Sequence, residues 1–331
     1  MPIEAARLRN PDGIAVIIFP VTPITDQSIS AELVAVLVAV SSGEPRVLTL
    51  HEGALLPAGP FEVGHLSLQG GMRAWVEAQT RHPLGYVEQL YTFSDRDRAA
   101  ETGVRTISIS YLGLTRERET ESAASGAWHP WYRYFPWEDR RGDSSLIEDL
   151  ILPRLHAWAS RAANAELRAQ RLQRISMTFG SDGHVWSEDM VLQRYELLFE
   201  AGLVAEATRQ GRPAHEAGLL PGTAMRYDHR RILATAMARL RAKIKYRPVV
   251  FELMPLNFTL SQLQSTVETL AGRGLHKQNF RRLVEQQNLV EEIGALTAGV
   301  TGRPAKLYRF RSDVMLERAI SGSKLPLARQ D

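Results

Sequence analysis

The sequence predicts a mixed α/β domain, a helical middle segment and a C-terminal winged helix-turn-helix. Three observations predict it. Strand-sized apolar runs parted by turn residues occupy residues 1–126; helical apolar spacing occupies 127–225; and residues 226–318 combine a basic composition with the order helix, turn, helix, hairpin. At 331 residues the chain exceeds what one core holds, and 319–331 read as a tail.

In the first segment, residues 1–12 read as a loose lead-in. Leu33–Val40 and Arg46–Leu50 are β-rich runs on either side of Ser41-Ser42-Gly43-Glu44-Pro45, the signature of a hairpin. Val87–Phe93 and Thr106–Leu114 are further strands, and Leu66–Thr80 is a helix that tolerates Gly70-Gly71. The middle segment opens on an aromatic cluster, Trp128 to Trp137, for which three places are open: core, dimer face or a stack for a ligand ring. Ser144 or Ser145 then caps a helix carrying Leu146, Leu150, Ile151, Leu155 and Trp158, and a second helix runs from Ser187 to Arg209.

In the basic segment Asp228 caps a helix reaching about Lys245. Ile232, Leu233, Met237 and Leu240 form its stripe, and Arg230, Arg231, Arg239, Arg241 and Lys243 lie off it. Val249–Leu253 reads as a strand. Thr259-Leu260-Ser261-Gln262 is a capping box opening a helix buried through Leu263, Val267 and Leu270. Gly272-Arg273-Gly274 makes the turn. The next helix, His276 to Gln287, holds to the domain by Phe280, Leu283 and Val284, and carries His276, Lys277, Gln278, Asn279, Arg281 and Arg282 in its first turns. Amide and guanidinium groups so placed reach base edges and phosphates in a major groove. Leu289–Ile293 and Ala305–Phe310 flank the loop Gly294–Pro304, whose Arg303, with Lys306 beyond it, makes a basic wing tip.

Charge agrees. The formal net charge is +3, but residues 1–225 hold 21 Lys and Arg against 28 Asp and Glu, a net of −7. The remaining 19 basic and 9 acidic residues give 226–331 a net of +10. An acidic body with a basic end points to a polyanionic partner, a solvated basic surface being the plain alternative. No cysteine is present, which excludes disulfides, thiolate metal sites and cysteine nucleophiles. There is no phosphate loop, no dinucleotide-binding glycine pattern, no histidine pair at metal-ligand spacing and no apolar run of bilayer length. Met1-Pro2-Ile3-Glu4 shows no signal pattern, so a cytoplasmic location is expected.

Tyr227-Asp228-His229, Phe251-Glu252-Leu253-Met254-Pro255, Phe258-Thr259-Leu260, Lys277, Asn279-Phe280-Arg281-Arg282 and Gly302-Arg303-Pro304-Ala305 resemble the C-terminal domain of the Nudix-related transcriptional regulators of NAD metabolism (NrtR-like). His276 and the helical middle segment resemble the alphaproteobacterial branch that represses NAD biosynthesis. The resemblance implies double-stranded DNA as partner, with Thr259, His276, Lys277, Gln278, Asn279, Arg281, Arg282, Arg303 and Lys306 at the interface. It also implies a Nudix-like domain upstream that binds an adenine nucleotide (NAD, ADP-ribose or ATP) as effector. A homodimer on a palindromic operator matches two-fold symmetry.

The Nudix box, tested position by position over 59–81, keeps its spacing and loses its acids. Gly59 opens it, His65 stands where Glu is expected, Arg73 holds the arginine position, Ala74 and Ala78 replace Glu, and Glu77 is retained. Hydrolysis of a diphosphate by this box uses Mg²⁺ held by clustered carboxylates, and one Glu offers one ligand. The expectation is a regulator rather than an enzyme, requiring no cofactor; the alternative is an ADP-ribose hydrolase with a basic accessory domain. Glu77 is expected to pair with Arg73 at i, i+4. Candidate ligand contacts are Arg73, Glu77, Tyr91, Arg96, Arg98 and Arg105, for the last three of which exposed loop charge beside Asp95 and Asp97 is the other reading.

Overall fold

The computed structural model describes residues 6–9, 15–18, 29–81, 84–94, 105–117, 126–142, 145–209, 211–213, 218–246, 249–297 and 304–311, with the side chains of 6–9, 15–18, 105 and 246 left aside. Two short strands, β1 (Ala6–Arg9) and β2 (Ala15–Ile18), pair antiparallel where a loose lead-in is expected, because pairing satisfies the backbone groups of both.

The main sheet is built on β3 (Ile29–Ser41), which turns through Ser42-Gly43 into β4 (Glu44–Leu50). Both turn residues have positive φ, 51° and 75°, which matches the right-handed twist of the strands they join. The short strand β5 (Ala58–Pro60) pairs with the start of β3 and leads to α1 (Leu68–Thr80), capped by Ser67, whose hydroxyl accepts from the Gly70 N–H at 3.0 Å. β6 (Tyr86–Phe93), β7 (Arg105–Leu114) and β8 (Gly126–Pro130) complete the six-stranded sheet, ordered β6-β7-β3-β4-β8, in which β3 and β7 run parallel. Ser110 is fully buried opposite the bulge in β6, its hydroxyl bonding the Tyr91 carbonyl and amide.

Alternation along β3 gives the sheet two apolar faces. Leu33, Ala35 and Leu37 pack with Met72 and Val76 of α1, and Val34, Val36 and Val38 face the other way. That second face is covered by α6 (His229–Tyr246), behind which pack the helices of the middle segment: α2 (Leu152–Ser160), α3 (Ala165–Phe179), α4 (Val191–Glu200) and α5 (Ala205–Arg209). Trp131, Tyr134, Phe135 and Trp137 are fully buried in this core, which places the aromatic cluster.

Two helices differ from expectation. Ser145 makes no side-chain cap, and Leu146–Ile151 is π-helical. The wide turn comes immediately before Pro153, which has no N–H to return to the preceding turn. The helix expected over Ser187–Arg209 is two, α4 and α5, parted at Gly202 with φ 71°, a left-handed conformation that ends a helix.

Arg230 and Arg241 are not surface charges. Both are buried, as is Arg194 of α4. Glu138, itself buried, accepts from Arg194 Nε at 2.6 Å and Nη2 at 2.9 Å, and from Arg241 Nη1 at 2.6 Å. Burial alone raises the Glu138 carboxyl, but Arg194 and Arg241 outweigh it and hold the group below the usual carboxylate range. Arg230 pairs with Glu206 at 3.1 Å. All six basic residues of α6 have acidic partners: Arg231 with Glu196 and Asp228, Arg239 and Lys243 with Glu88, Lys245 with Glu188 and Asp189.

The C-terminal unit follows. Val249–Leu253 is a short 3-10 helix rather than a strand. Val249, Val250, Phe251 and Leu253 are all buried, and the backbone position beside the last strand is taken instead by Phe258, bridged to Tyr308. α7 (Leu260–Ala271) and α8 (Lys277–Gln286) form the helix-turn-helix, and β9 (Val290–Leu296) with β10 (Lys306–Phe310) forms the wing. Phe310 packs its ring against Phe251 and Phe258, at centroid distances of 3.5 and 4.5 Å, anchoring the wing beneath α7.

Candidate functional site

α7 starts at a complete capping box. Thr259 Oγ1 accepts from the Gln262 N–H at 3.1 Å, and Gln262 Oε1 accepts from the Thr259 N–H at 2.8 Å. Thr259 is therefore buried and occupied as a cap, away from the exposed face it was expected to share. The turn into α8 is held by Glu268, whose Oε1 accepts from the Leu275 N–H at 2.8 Å and from Gln264 Nε2 at 2.9 Å.

α8 presents its polar residues to solvent. His276, Lys277, Gln278, Asn279, Arg281 and Arg282 are exposed, and His276 as N-cap makes no side-chain bond to the first turn. Helix N–H groups without an internal partner, beside positive charge, favour phosphate. Val284 is buried and Phe280 half-buried one turn away, but Leu283 is 51% exposed. The expected three-residue stripe is thus a two-residue ridge, since Leu283 lies about 100° round the helix from Val284. Among the described residues Lys277, Arg281 and Arg282 have no carboxylate partner, in contrast to every cation of α6. On the wing, Lys306 pairs with Glu292 at 2.9 Å and Arg309 with Glu291 at 2.6 Å. Arg303 lies outside the described residues.

The box helix keeps its frame for packing reasons. A Cβ at Gly59 would stand 2.3 Å from the Trp75 indole, so glycine there lets the ring lie on the strand, and Trp75 Nε1 donates to the Pro60 carbonyl at 2.8 Å. His65 Nδ1 accepts from the Glu62 N–H at 3.0 Å, and the imidazole stacks on Phe61 and lies where a Cβ of Gly71 would be. Arg73 does not pair with Glu77. Its guanidinium donates to the carbonyls of Leu84 at 2.7 Å and Gly85 at 3.1 Å, because two fixed carbonyls at the start of β6 match its fork.

Ala74, Glu77 and Ala78 share the exposed face of α1, so that face carries one carboxylate. Among the described residues no three His, Asp or Glu side chains converge as a metal site, and those of the box do not fit a Mg²⁺ centre. Tyr91 is 59% exposed on β6, edge-on to Phe93. Arg105 begins β7, and Arg96 and Arg98 lie outside the described residues. The candidate ligand residues described are thus divided among α1, β6 and the start of β7.

Sequence reasoning missed His229. It opens α6, and its Nδ1 accepts from the Leu56 N–H at 2.9 Å, tying the basic segment to the loop that enters the box helix. Its place within Tyr227-Asp228-His229 was the available signal.

Comparison with known proteins agrees with this geometry. Residues 250–310 match the NrtR DNA-binding winged helix domain family. Over 85 residues the chain is 41% identical to the ADPR responsive transcriptional repressor NtrR of Acinetobacter baylyi, a match covering 25% of this chain and 33% of that protein. The chain therefore spans about a third of the length of that relative. The fold is similar to Shewanella oneidensis NrtR complexed with a 27mer DNA (TM-score 0.51, 19% identity, 86% of this chain and 94% of that one). It is also similar to a MutT/nudix family protein from Enterococcus faecalis (TM-score 0.50, 14% identity, 87% and 88% covered). The architecture is a Nudix-like α/β domain with a C-terminal winged helix. No described helix is long and apolar enough to cross a membrane.

Proposed function

We propose that the chain, which carries a winged helix of the NrtR family, is a cytoplasmic DNA-binding regulator that represses genes of NAD biosynthesis. The observation that carries this reading is the division of its cations. Those of α6 are neutralised within the molecule, and those of α8 stand exposed and unpaired among the described residues. Gln278, Asn279, Arg281 and Arg282 read base edges, and His276 and Lys277 hold phosphate beside them. The chain works as a homodimer on a palindromic operator, each protomer supplying one α8.

The Nudix-like domain serves as sensor. The relative in Acinetobacter baylyi is named for its response to ADPR, and ADP-ribose is the effector we assign, with NAD and ATP as the competing adenine nucleotides. The nucleotide lies between the exposed face of α1 and β6, near Glu77 and Tyr91, with Arg73 at the edge; Arg96, Arg98 and Arg105 are the candidate cations for its phosphates. His65, Ala74 and Ala78 supply no carboxylate, so the domain binds without hydrolysing and requires no cofactor.

The test is a titration of duplex DNA, selected from a random pool by rounds of binding, at about 0.15 M salt with each nucleotide in turn. Sequence-selective binding that one nucleotide alters and the others do not is the expected result. Binding indifferent to sequence sinks the reading.

A further inference from the structure

The last turn of α7, immediately before the recognition helix, ends against the sheet domain rather than in solvent. Tyr132 Oη donates to the Thr269 carbonyl at 2.7 Å, Arg241 Nε to the Leu270 carbonyl at 2.9 Å, and the Arg140 N–H to the Gly272 carbonyl at 2.7 Å. A helix leaves its last carbonyls without internal partners, and here donors from the rest of the chain supply them. The Thr269 hydroxyl, buried, donates to the Gly43 carbonyl at 2.8 Å. Arg141 Nη1 donates to both Thr269 Oγ1 at 2.8 Å and the Gly43 carbonyl at 3.0 Å, while Asp139 holds its Nε and Nη2 at 2.9 and 2.8 Å. Approach is close enough that a Cβ at Gly272 would stand 2.2 Å from the Glu138 carbonyl.

Both ends of this contact are tied into larger elements. Gly43 closes the β3 hairpin, and β3 lies along α1 through Leu33, Ala35 and Leu37 and pairs at its start with β5, the strand that leads into α1. On the other side Glu268 bonds the Leu275 N–H, so the turn passes the position of α7 directly to the start of α8. A displacement at the α1 end of β3 has one continuous strand, paired on both sides, to travel before it meets Thr269.

We propose that Tyr132, Arg141 and Thr269 form a latch through which the sheet domain sets the position of α8, so that nucleotide bound beside α1 is read at DNA through the β3 turn. The latch rests on the sensor reading above. Its residues are positioning residues and touch neither ligand.

The test uses full-length wild type, Thr269→Val and Arg141→Lys. ADP-ribose affinity is measured by calorimetry without DNA, and DNA affinity by fluorescence anisotropy with and without saturating ADP-ribose. In wild type the nucleotide changes DNA affinity by about 5-fold or more, the range of ordinary allosteric couplings. Each variant keeps ADP-ribose affinity within about twofold of wild type while that factor falls to within about twofold of one, and by reciprocity DNA ceases to alter nucleotide affinity. A variant that folds and retains the wild-type factor overturns the latch and leaves the sensor reading standing. A wild-type protein whose DNA binding ignores every nucleotide overturns both.

Discussion

His229 makes the stability of this protein depend on pH below neutrality. The ring is 2% exposed and its Nδ1 accepts the Leu56 N–H, so its proton sits on Nε2, which has no hydrogen-bond partner among the described residues. Burial pushes the imidazole down from 6.5 to about 4. The unfolded chain therefore takes up a proton that the folded chain refuses, and stability falls as pH drops from 6.5 toward 4. The full loss is about 3 kcal/mol, of which about 2 kcal/mol is reached by pH 5. Glu138, Asp139 and Asp189 are all held below their usual range, so their contributions are lost only at lower pH. The comparison is His229→Asn, whose amide oxygen can accept the Leu56 N–H and does not titrate. Urea unfolding followed by tryptophan fluorescence at pH 7.5 and 5 should show wild type losing about 2 kcal/mol more than the variant. Equal losses in the two proteins would refute the reasoning.

Other expectations concern the interface, the core and the box. Arg281→Ala or Arg282→Ala should weaken operator binding by about 1–3 kcal/mol if the lost contact is to a base, and flatten the salt dependence if it is to phosphate; a titration at several salt concentrations separates the two. Glu138→Ala strands Arg194 and Arg241 in the core and should cost about 3–5 kcal/mol in denaturant unfolding, a loss below 1 kcal/mol contradicting the buried-pair account. Gly272→Ala places a methyl against the Glu138 carbonyl at φ 72° and should lower the unfolding midpoint by more than about 1 kcal/mol equivalent. ADP-ribose incubated with the protein and Mg²⁺ should remain intact by chromatography; turnover that Glu77→Gln abolishes would restore the hydrolase reading.

What could be read in the chain was whatever local chemistry decides. The Ser42-Gly43 hairpin, the Thr259–Gln262 capping box and the polar first turns of α8 each follow from a few adjacent residues, and each is where it was expected. Features that depend on a distant partner were not legible. Val249–Leu253 has strand composition, yet Phe258 holds the backbone position beside Tyr308. Arg230 and Arg241 lie off the apolar stripe of α6 and are nonetheless buried, because Glu206 and Glu138 arrive from elsewhere, which periodicity cannot see. Arg73 likewise had a plausible partner one turn away and took two carbonyls instead. In the α1 box, retained spacing and missing acids were legible, while the packing of His65 and Trp75 that preserves its frame was not.

The seam between the two functional halves runs through α6. That helix packs on the sheet and on α7 at once, and its charges are balanced mainly by acids from the first half. An exchange of C-terminal units between relatives therefore cannot divide the chain ahead of α6. A cut before His229 would carry away six cations and leave their carboxylates and the sheet's apolar face behind, whereas a cut after Tyr246 keeps these together but must still match the contacts of Thr269, Leu270 and Gly272 with Gly43, Tyr132, Arg140 and Arg241. The family match, beginning at 250, starts after α6.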